Sequence, residues 1–204
     1  MKKLLLVFTQ VFLFSAFSLA QTDEYSKGEF FAGYSAGSNL EFDQVFQEHG
    51  FNVSGVYNFH KYIGIKADVS GTYQPLDGTF FFPNAPQQTN QTWKGTHNLY
   101  NFTAGVQVKD NRKDSTLKPF GHFLVGYGKH FDSYKTACPT GAQCPPLDID
   151  FDGVSYILGG GLDIKLNDKI DIRAAQFDIN PIFGRNNKGN WNNGRFSAGV
   201  VFKF

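Results

Sequence analysis

The chain ends with the eight residues Ser197-Ala198-Gly199-Val200-Val201-Phe202-Lys203-Phe204. In an extended strand side chains alternate between two faces. One face then carries Phe196, Ala198, Val200, Phe202 and Phe204, and the other carries Arg195, Ser197, Gly199, Val201 and Lys203. One apolar face opposite a mixed to polar face is typical of a wall between lipid and a polar interior. The stretch therefore predicts a membrane-crossing strand.

The same stretch resembles the C-terminal signal by which bacterial outer-membrane barrels are recognised for assembly. The resemblance rests on polar Ser197, on Gly199, and on the aromatic residues Phe202 and Phe204 at the end. It implies outer-membrane lipid as the surroundings and the outer-membrane assembly machinery as a partner.

The N-terminal segment has the pattern of an export signal. Lys2 and Lys3 precede an apolar stretch from residue 4 to 19, and Ser18-Leu19-Ala20 fits a cleavage site with small residues. We predict a signal peptide over 1–20 and a mature protein over 21–204. The alternative is a membrane anchor, but the stretch is short for a span of about 20 residues and contains several polar residues.

The composition excludes two broad classes of protein. Beyond residue 20 no apolar run is long enough for a membrane helix, which excludes a helical membrane protein. The formal net charge of +1 does not indicate a nucleic-acid-binding protein. The 23 Phe, 9 Tyr and 22 Gly instead suit the alternating wall of a barrel.

Alternating patterns predict eight strands. They lie at about 29–36, 50–59, 62–73, 97–109, 117–130 and 152–166, then from about 170 with a bulge near Ala174-Ala175, and finally at the C-terminus. Long connectors (37–49, 74–96, 131–151, 181–194) alternate with shorter ones (60–61, 110–116, 167–169). This alternation predicts an all-β fold, an eight-stranded antiparallel up-and-down transmembrane β-barrel. A soluble barrel of the lipocalin kind is the alternative, with its apolar face turned inward.

Four segments resemble the small outer-membrane β-barrel family, which is related to the OmpA transmembrane domain and to opacity-type porins. They are residues 31–35 (FAGYS), 64–71 (GIKADVSG), 118–126 (KPFGHFLVG) and 159–163 (GGGLD). The resemblance covers about 25–204 and implies a single outer-membrane barrel domain over 21–204. It is weak for function.

The polar residues of the predicted strands point into the barrel. We expect a lumenal polar network of Lys66, Asp68, His122, Asp163, Lys165, Arg173, Gln176 and Asp178, joined by Arg195 and Lys203. An eight-stranded barrel is only wide enough to be filled by side chains, so opposite charges should pair and plug it. A narrow, gated conductance is the alternative.

Other residues that could carry chemistry give weaker signals. Cys138 and Cys144 predict a disulfide in the third long loop, with a redox pair as the alternative. The five histidines have no metal-binding spacing, and Asp148, Asp150 and Asp152 fit a solvated strand end better than a Ca²⁺ site. We therefore expect no catalytic residues, no metal and no cofactor.

These observations predict a non-enzymatic bacterial outer-membrane protein with a structural or surface-interaction role in the cell envelope. The alternative is a narrow porin-like channel for ions or small solutes. The long loops are a candidate contact with an extracellular ligand. Phe80-Phe81-Phe82 in the second loop could form part of such a contact, but a place in the aromatic girdle or packing over the barrel mouth fits them better. No nucleic-acid partner is expected.

Overall fold

The computed structural model describes residues 25–39, 44–81, 90–136, 147–185 and 189–204. Within them eight strands follow one another: β1 (Gly28–Asn39), β2 (Gln44–His60), β3 (Ile63–Phe81), β4 (Asn90–Lys109), β5 (Leu117–Thr136), β6 (Leu147–Lys165), β7 (Ile170–Gly184) and β8 (Asn190–Lys203). Each pairs antiparallel with the next, and β8 pairs with β1 to close the barrel. The predicted eight-stranded antiparallel β-barrel is confirmed. The described residues include no helix long and apolar enough to cross a membrane.

The outer wall of the barrel is apolar and its interior is polar. On β3, Ile65 and Val69 are exposed on the outside, whereas Lys66 and Asp68 are fully buried inside. Soluble barrels have the reverse arrangement, with their polar side chains outside. The lipocalin alternative is therefore wrong, and the outward apolar face is that of a barrel surrounded by lipid.

Aromatic rings mark the two limits of the apolar band. Tyr34, Tyr73, Tyr100, Tyr127 and Phe183 are exposed towards one end, and Tyr57, Phe59, Tyr62, Phe202 and Phe204 are exposed towards the other. On β4 the outward residues from Tyr100 to Val108 are apolar, and those beyond Tyr100 are Asn98 and Thr96. The membrane-spanning part of β4 is thus about nine residues long, as expected for a tilted transmembrane strand.

The strands continue well beyond this band, which corrects the predicted loops. The ladder between β3 and β4 runs without a break from Tyr73↔Asn98 to Phe81↔Asn90, through most of the predicted loop 74–96. Similar extensions shorten the predicted loops 37–49, 131–151 and 181–194. Outside the membrane both faces of a strand meet polar surroundings, so the alternating pattern disappears although the backbone pairing continues.

A bulge on β7 is present at the predicted position. The pairing of β7 with β8 shifts between Arg173 and Gln176, and its pairing with β6 shifts at the same level. Arg173 and Gln176 are both buried inside, while Ala174 and Ala175 lie on the outside. The bulge therefore changes the parity of the strand and keeps its later polar residues in the lumen.

Candidate functional site

Asp163 is the centre of the ion pairs in the half of the lumen nearest the chain termini. Its carboxylate accepts hydrogen bonds from Lys109 Nζ at 2.7 Å and from Arg173 Nε and Nη2 at 2.8 and 3.0 Å. Lys109 Nζ also donates to Glu29 at 2.9 and 3.0 Å. The charged groups come from four different strands, so these contacts join the wall across the lumen.

The guanidinium of Arg173 is held on both sides by aromatic rings. Its carbon lies 4.3 Å from the ring centre of Phe31 and 4.2 Å from that of Phe120, both of which are buried. Its Nη1 donates to Gln176 Oε1 at 2.7 Å. Cation–π contacts and hydrogen bonds together replace the water that this buried cation has lost.

A second group of charges continues the network towards the opposite end. Arg195 donates to Asp178 at 2.6 and 2.9 Å and to Asp68 at 3.0 Å. Asp178 also accepts from Gln176 at 2.7 Å, and its other oxygen lies 3.0 Å from His122 Nε2. Since Gln176 contacts both Arg173 and Asp178, the two groups form one continuous network.

Eight of the ten predicted lumenal residues lie in this network, and Lys203 is buried but pairs with Asp171 instead. Lys66 joins it through Asp68 at 3.7 Å and through His122 Nδ1 at 3.4 Å. Lys165 does not: it lies at the rim, 23% exposed, and pairs with the 76% exposed Asp168. Lys165 follows Asp163 by two residues and therefore lies on the same face of β6. Because β6 ends at Lys165, however, its side chain reaches the rim and not the lumen.

Sequence reasoning missed Glu29 and Lys109, although both are almost completely buried in the network. Lys109 follows Gln107 by two residues on β4, and both side chains are buried on the inner face of that strand. Extending the alternation of inward and outward side chains to the ends of β1 and β4 would have placed both Glu29 and Lys109 in the lumen.

A small cavity lies beside the ion pairs of the lumen. A cavity of about 10 Å³ lies among Glu48, Ser70, Asn101 and Arg195, and a cavity of that size holds about one water molecule. The charged side chains on either side of it are buried and bonded to one another.

A different cluster lies at the barrel mouth, beyond Tyr100 and Tyr127. His97 Nδ1, His130 Nε2 and Asp132 Oδ1 are 2.8–2.9 Å from one another. All three residues are buried, and they could hold a metal ion. We call them the mouth cluster.

Buried neighbours surround the mouth cluster. The Nε2 of His97 faces Glu48 Oε1 at 3.4 Å, and Glu48 accepts a hydrogen bond from Thr72 at 2.5 Å. Burial lowers the pKa of His97, but hydrogen bonds to Asp132 and Glu48 outweigh burial and raise the pKa to about 9. The ring of Trp191 packs against the two histidines, with centroids 4.4 Å from His130 and 5.8 Å from His97.

Strand register brings the mouth cluster together. His130 and Asp132 are two residues apart on β5 and share its inner face. In the ladder between β4 and β5, His97 pairs directly with Asp132, and Leu99 pairs with His130. The sequence prediction ended the fifth strand at residue 130 and placed Asp132 in a loop, so it could not find the cluster.

The residues of the predicted assembly signal occupy both faces of β8. Ser197 is buried and bonds to Ser35 at 3.1 Å, Gly199 pairs with Gly33, and Phe202 is exposed on the outside. The backbone N–H and C=O of Phe204 both bond to Gly28, at 3.0 and 2.8 Å. Residues 1–20, Cys138 and Cys144 lie outside the described residues.

The chain matches a family model described as the outer membrane protein beta-barrel domain over residues 10–204. It belongs to that family. The expected resemblance to small outer-membrane barrels is thus confirmed, and the chain is a bacterial outer-membrane β-barrel protein. No curated protein sequence matches it significantly.

Solved structures with a similar fold share little sequence with this outer-membrane protein. Ail, the attachment invasion locus protein of Yersinia pestis, is 16% identical with a TM-score of 0.56, over 89% of this chain and 100% of Ail. A structure of Ail with the heparin analogue sucrose octasulfate gives a TM-score of 0.57 at the same identity and coverage. OprG of Pseudomonas aeruginosa is 14% identical with a TM-score of 0.46, over 90% of this chain and 99% of OprG.

Proposed function

We propose that this outer-membrane barrel is a closed, non-enzymatic surface protein that contacts extracellular ligands and does not conduct solutes. The observation that carries the proposal is the continuous network from Glu29 through Asp163, Arg173 and Asp178 to Asp68. In a diffusion pore, charges that bond to each other across the lumen would block the passage of solutes. A rigid support for external segments benefits from them, because the network joins distant strands.

Conductance in planar bilayers distinguishes the two functions. The refolded mature chain should show no discrete openings when its native fold has been verified by gel mobility with and without boiling. Reproducible openings that change when Lys66 or Arg173 is replaced would overturn the proposal and favour the narrow channel.

The extracellular ends of the strands carry mixed rather than basic charge. Lys129 lies 3.2 Å from Asp150, and Arg185 lies 3.5 Å from Asp152. Each of these cations is thus already paired with a carboxylate. We expect only weak binding of polyanions such as sucrose octasulfate, the ligand in the structure of Ail. Binding lost in 0.2 M salt would mark it as non-specific.

The external connectors are the proposed contact surface. Residues 82–89 connect β3 to β4. Replacing them with Gly and Ser should abolish adhesion of expressing cells to a host or matrix surface, with folding unchanged by gel mobility. Unchanged adhesion would exclude this connector as the contact.

Export and assembly are part of the proposal. N-terminal sequencing of the protein from outer membranes should begin at Gln21 if residues 1–20 are a cleaved signal peptide. Thiol labelling with and without reductant should show that Cys138 and Cys144 form a disulfide.

A further inference from the structure

We propose that the mouth cluster is a binding site for a divalent transition-metal ion, held by His97 Nδ1, His130 Nε2 and Asp132 Oδ1. The site is separate from the ion-pair network and does not depend on the proposed surface function. Imidazole nitrogens and a carboxylate together are the ligand set of Zn²⁺, Fe²⁺, Co²⁺ and Ni²⁺ rather than of Ca²⁺.

Protons alone cannot satisfy the contacts within the mouth cluster. Three contacts of 2.8–2.9 Å join His97 Nδ1, His130 Nε2 and Asp132 Oδ1. The ionised carboxylate carries no proton and each of the two nitrogens carries at most one. At most two protons are therefore available for three contacts. At least one contact then places two protons or two lone pairs against each other in a buried site. A cation contacted by all three lone pairs removes this conflict.

The spacing of the three ligand atoms also fits a particular coordination geometry. Ligands at right angles around a metal with bonds of about 2.0–2.2 Å lie about 2.8–3.1 Å apart, whereas tetrahedral ligands lie about 3.3–3.6 Å apart. The observed distances of 2.8–2.9 Å therefore match one face of an octahedron. Two histidines and one carboxylate on such a face form a known arrangement for divalent metals.

The surroundings supply what a metal-ligating histidine needs. The second ring nitrogen of His97 faces the Glu48 carboxylate at 3.4 Å, and that carboxylate is fixed by Thr72. Such a carboxylate orients the ring and makes the ligand more basic. Trp191 covers both imidazoles, so the ligands are held by packing as well as by the strands.

Trp191 provides a direct measurement of binding. Its ring lies close to both histidines, so bound Co²⁺ should quench its fluorescence, and a Trp93→Phe background leaves Trp191 as the only tryptophan. In the full mature chain, freed of metal by chelation, we expect saturable quenching by Co²⁺ that Zn²⁺ reverses.

Conservative variants then locate the site. His130→Gln and Asp132→Asn should weaken Co²⁺ binding by at least about tenfold, and Glu48→Gln should weaken it by about tenfold. His122→Gln is the matched control, since His122 is also buried beside a carboxylate, and it should bind like the wild type.

Two results would overturn the site. One is the absence of saturable quenching, and the other is equal binding by the wild type and by folded His130→Gln. If the variants do not fold, urea unfolding of the wild type decides: Zn²⁺ must raise its midpoint relative to chelator, and an unchanged midpoint refutes binding.

Discussion

The substitution Asp163→Asn tests whether the interior network holds the barrel together. Asp163 is completely buried between two cations and accepts three hydrogen bonds of 2.7–3.0 Å from Lys109 and Arg173. Asparagine has almost the same size but carries no charge, and its amide group directs a donor at one of the cations. The variant thus keeps the packing and removes the electrostatic contact.

The expected loss follows from the environment of the two cations. Removing one partner of a buried ion pair costs about 3–5 kcal/mol in unfolding free energy, because a charge is left buried without its counterion. Lys109 keeps Glu29, and Arg173 keeps Gln176 and its two aromatic rings, so we expect the lower half of that range. With a urea dependence of about 2 kcal/mol/M, the midpoint should fall by roughly 1.5–2 M.

The assay is urea unfolding of the protein in phospholipid vesicles, with the folded fraction read from gel mobility without boiling. Asp168→Asn is the matched control: its carboxylate also contacts a lysine at 2.7 Å, but it is 76% exposed. That change should lower the midpoint far less, because exposed ion pairs contribute little to stability.

Equal shifts of the midpoint in Asp163→Asn and Asp168→Asn would contradict this expectation. The interior charges would then contribute no more than surface charges do.

Three further predictions concern the wall, the C-terminus and the turn between β4 and β5. Gly126→Ala should lower the unfolding midpoint, since its new methyl group would meet a backbone oxygen of β4 at 2.0 Å, whereas Gly55→Ala faces open space and should be neutral. Phe204→Ala should lower stability in vesicles only slightly, because its backbone bonds to Gly28 remain and a single ring is lost from the lipid boundary, but it should strongly reduce the amount assembled in the outer membrane of cells. In the turn, burial raises the pKa of Asp110, but hydrogen bonds from Arg112 outweigh it and hold the pKa below its ordinary 3.8. The pair therefore stabilises the protein above about pH 4 and is lost as the pH falls further, so unfolding between pH 5 and 2.5 should be less pH-dependent in Asp110→Asn.

The features of the wall could be predicted because each strand carries them by itself. The lipid and the lumen differ so strongly that every strand alternates with period two, and the outward position of Phe202 and the inward position of Lys66 follow from parity alone. Even the bulge at Ala174-Ala175 could be located, since an extra residue changes the parity within a single strand.

The strand ends could not be predicted in this way. Beyond the membrane the two faces no longer differ, so the paired extensions of β3 and β4 show no alternation, and the pattern ends before Asp132. The mouth cluster lies in this region, which is why a chain whose histidines have no metal-binding spacing brings two of them within 2.9 Å.

Sequence alone therefore determined the number of strands, their order and the face that each residue occupies. Only the tertiary structure decided which inward residues meet, such as Lys109 with Glu29, 80 positions apart, or Arg195 with Asp68. The physical reason is that closing a sheet fixes the tilt and stagger of all eight strands together. Partners across the lumen are set by that shared geometry, which no single strand contains.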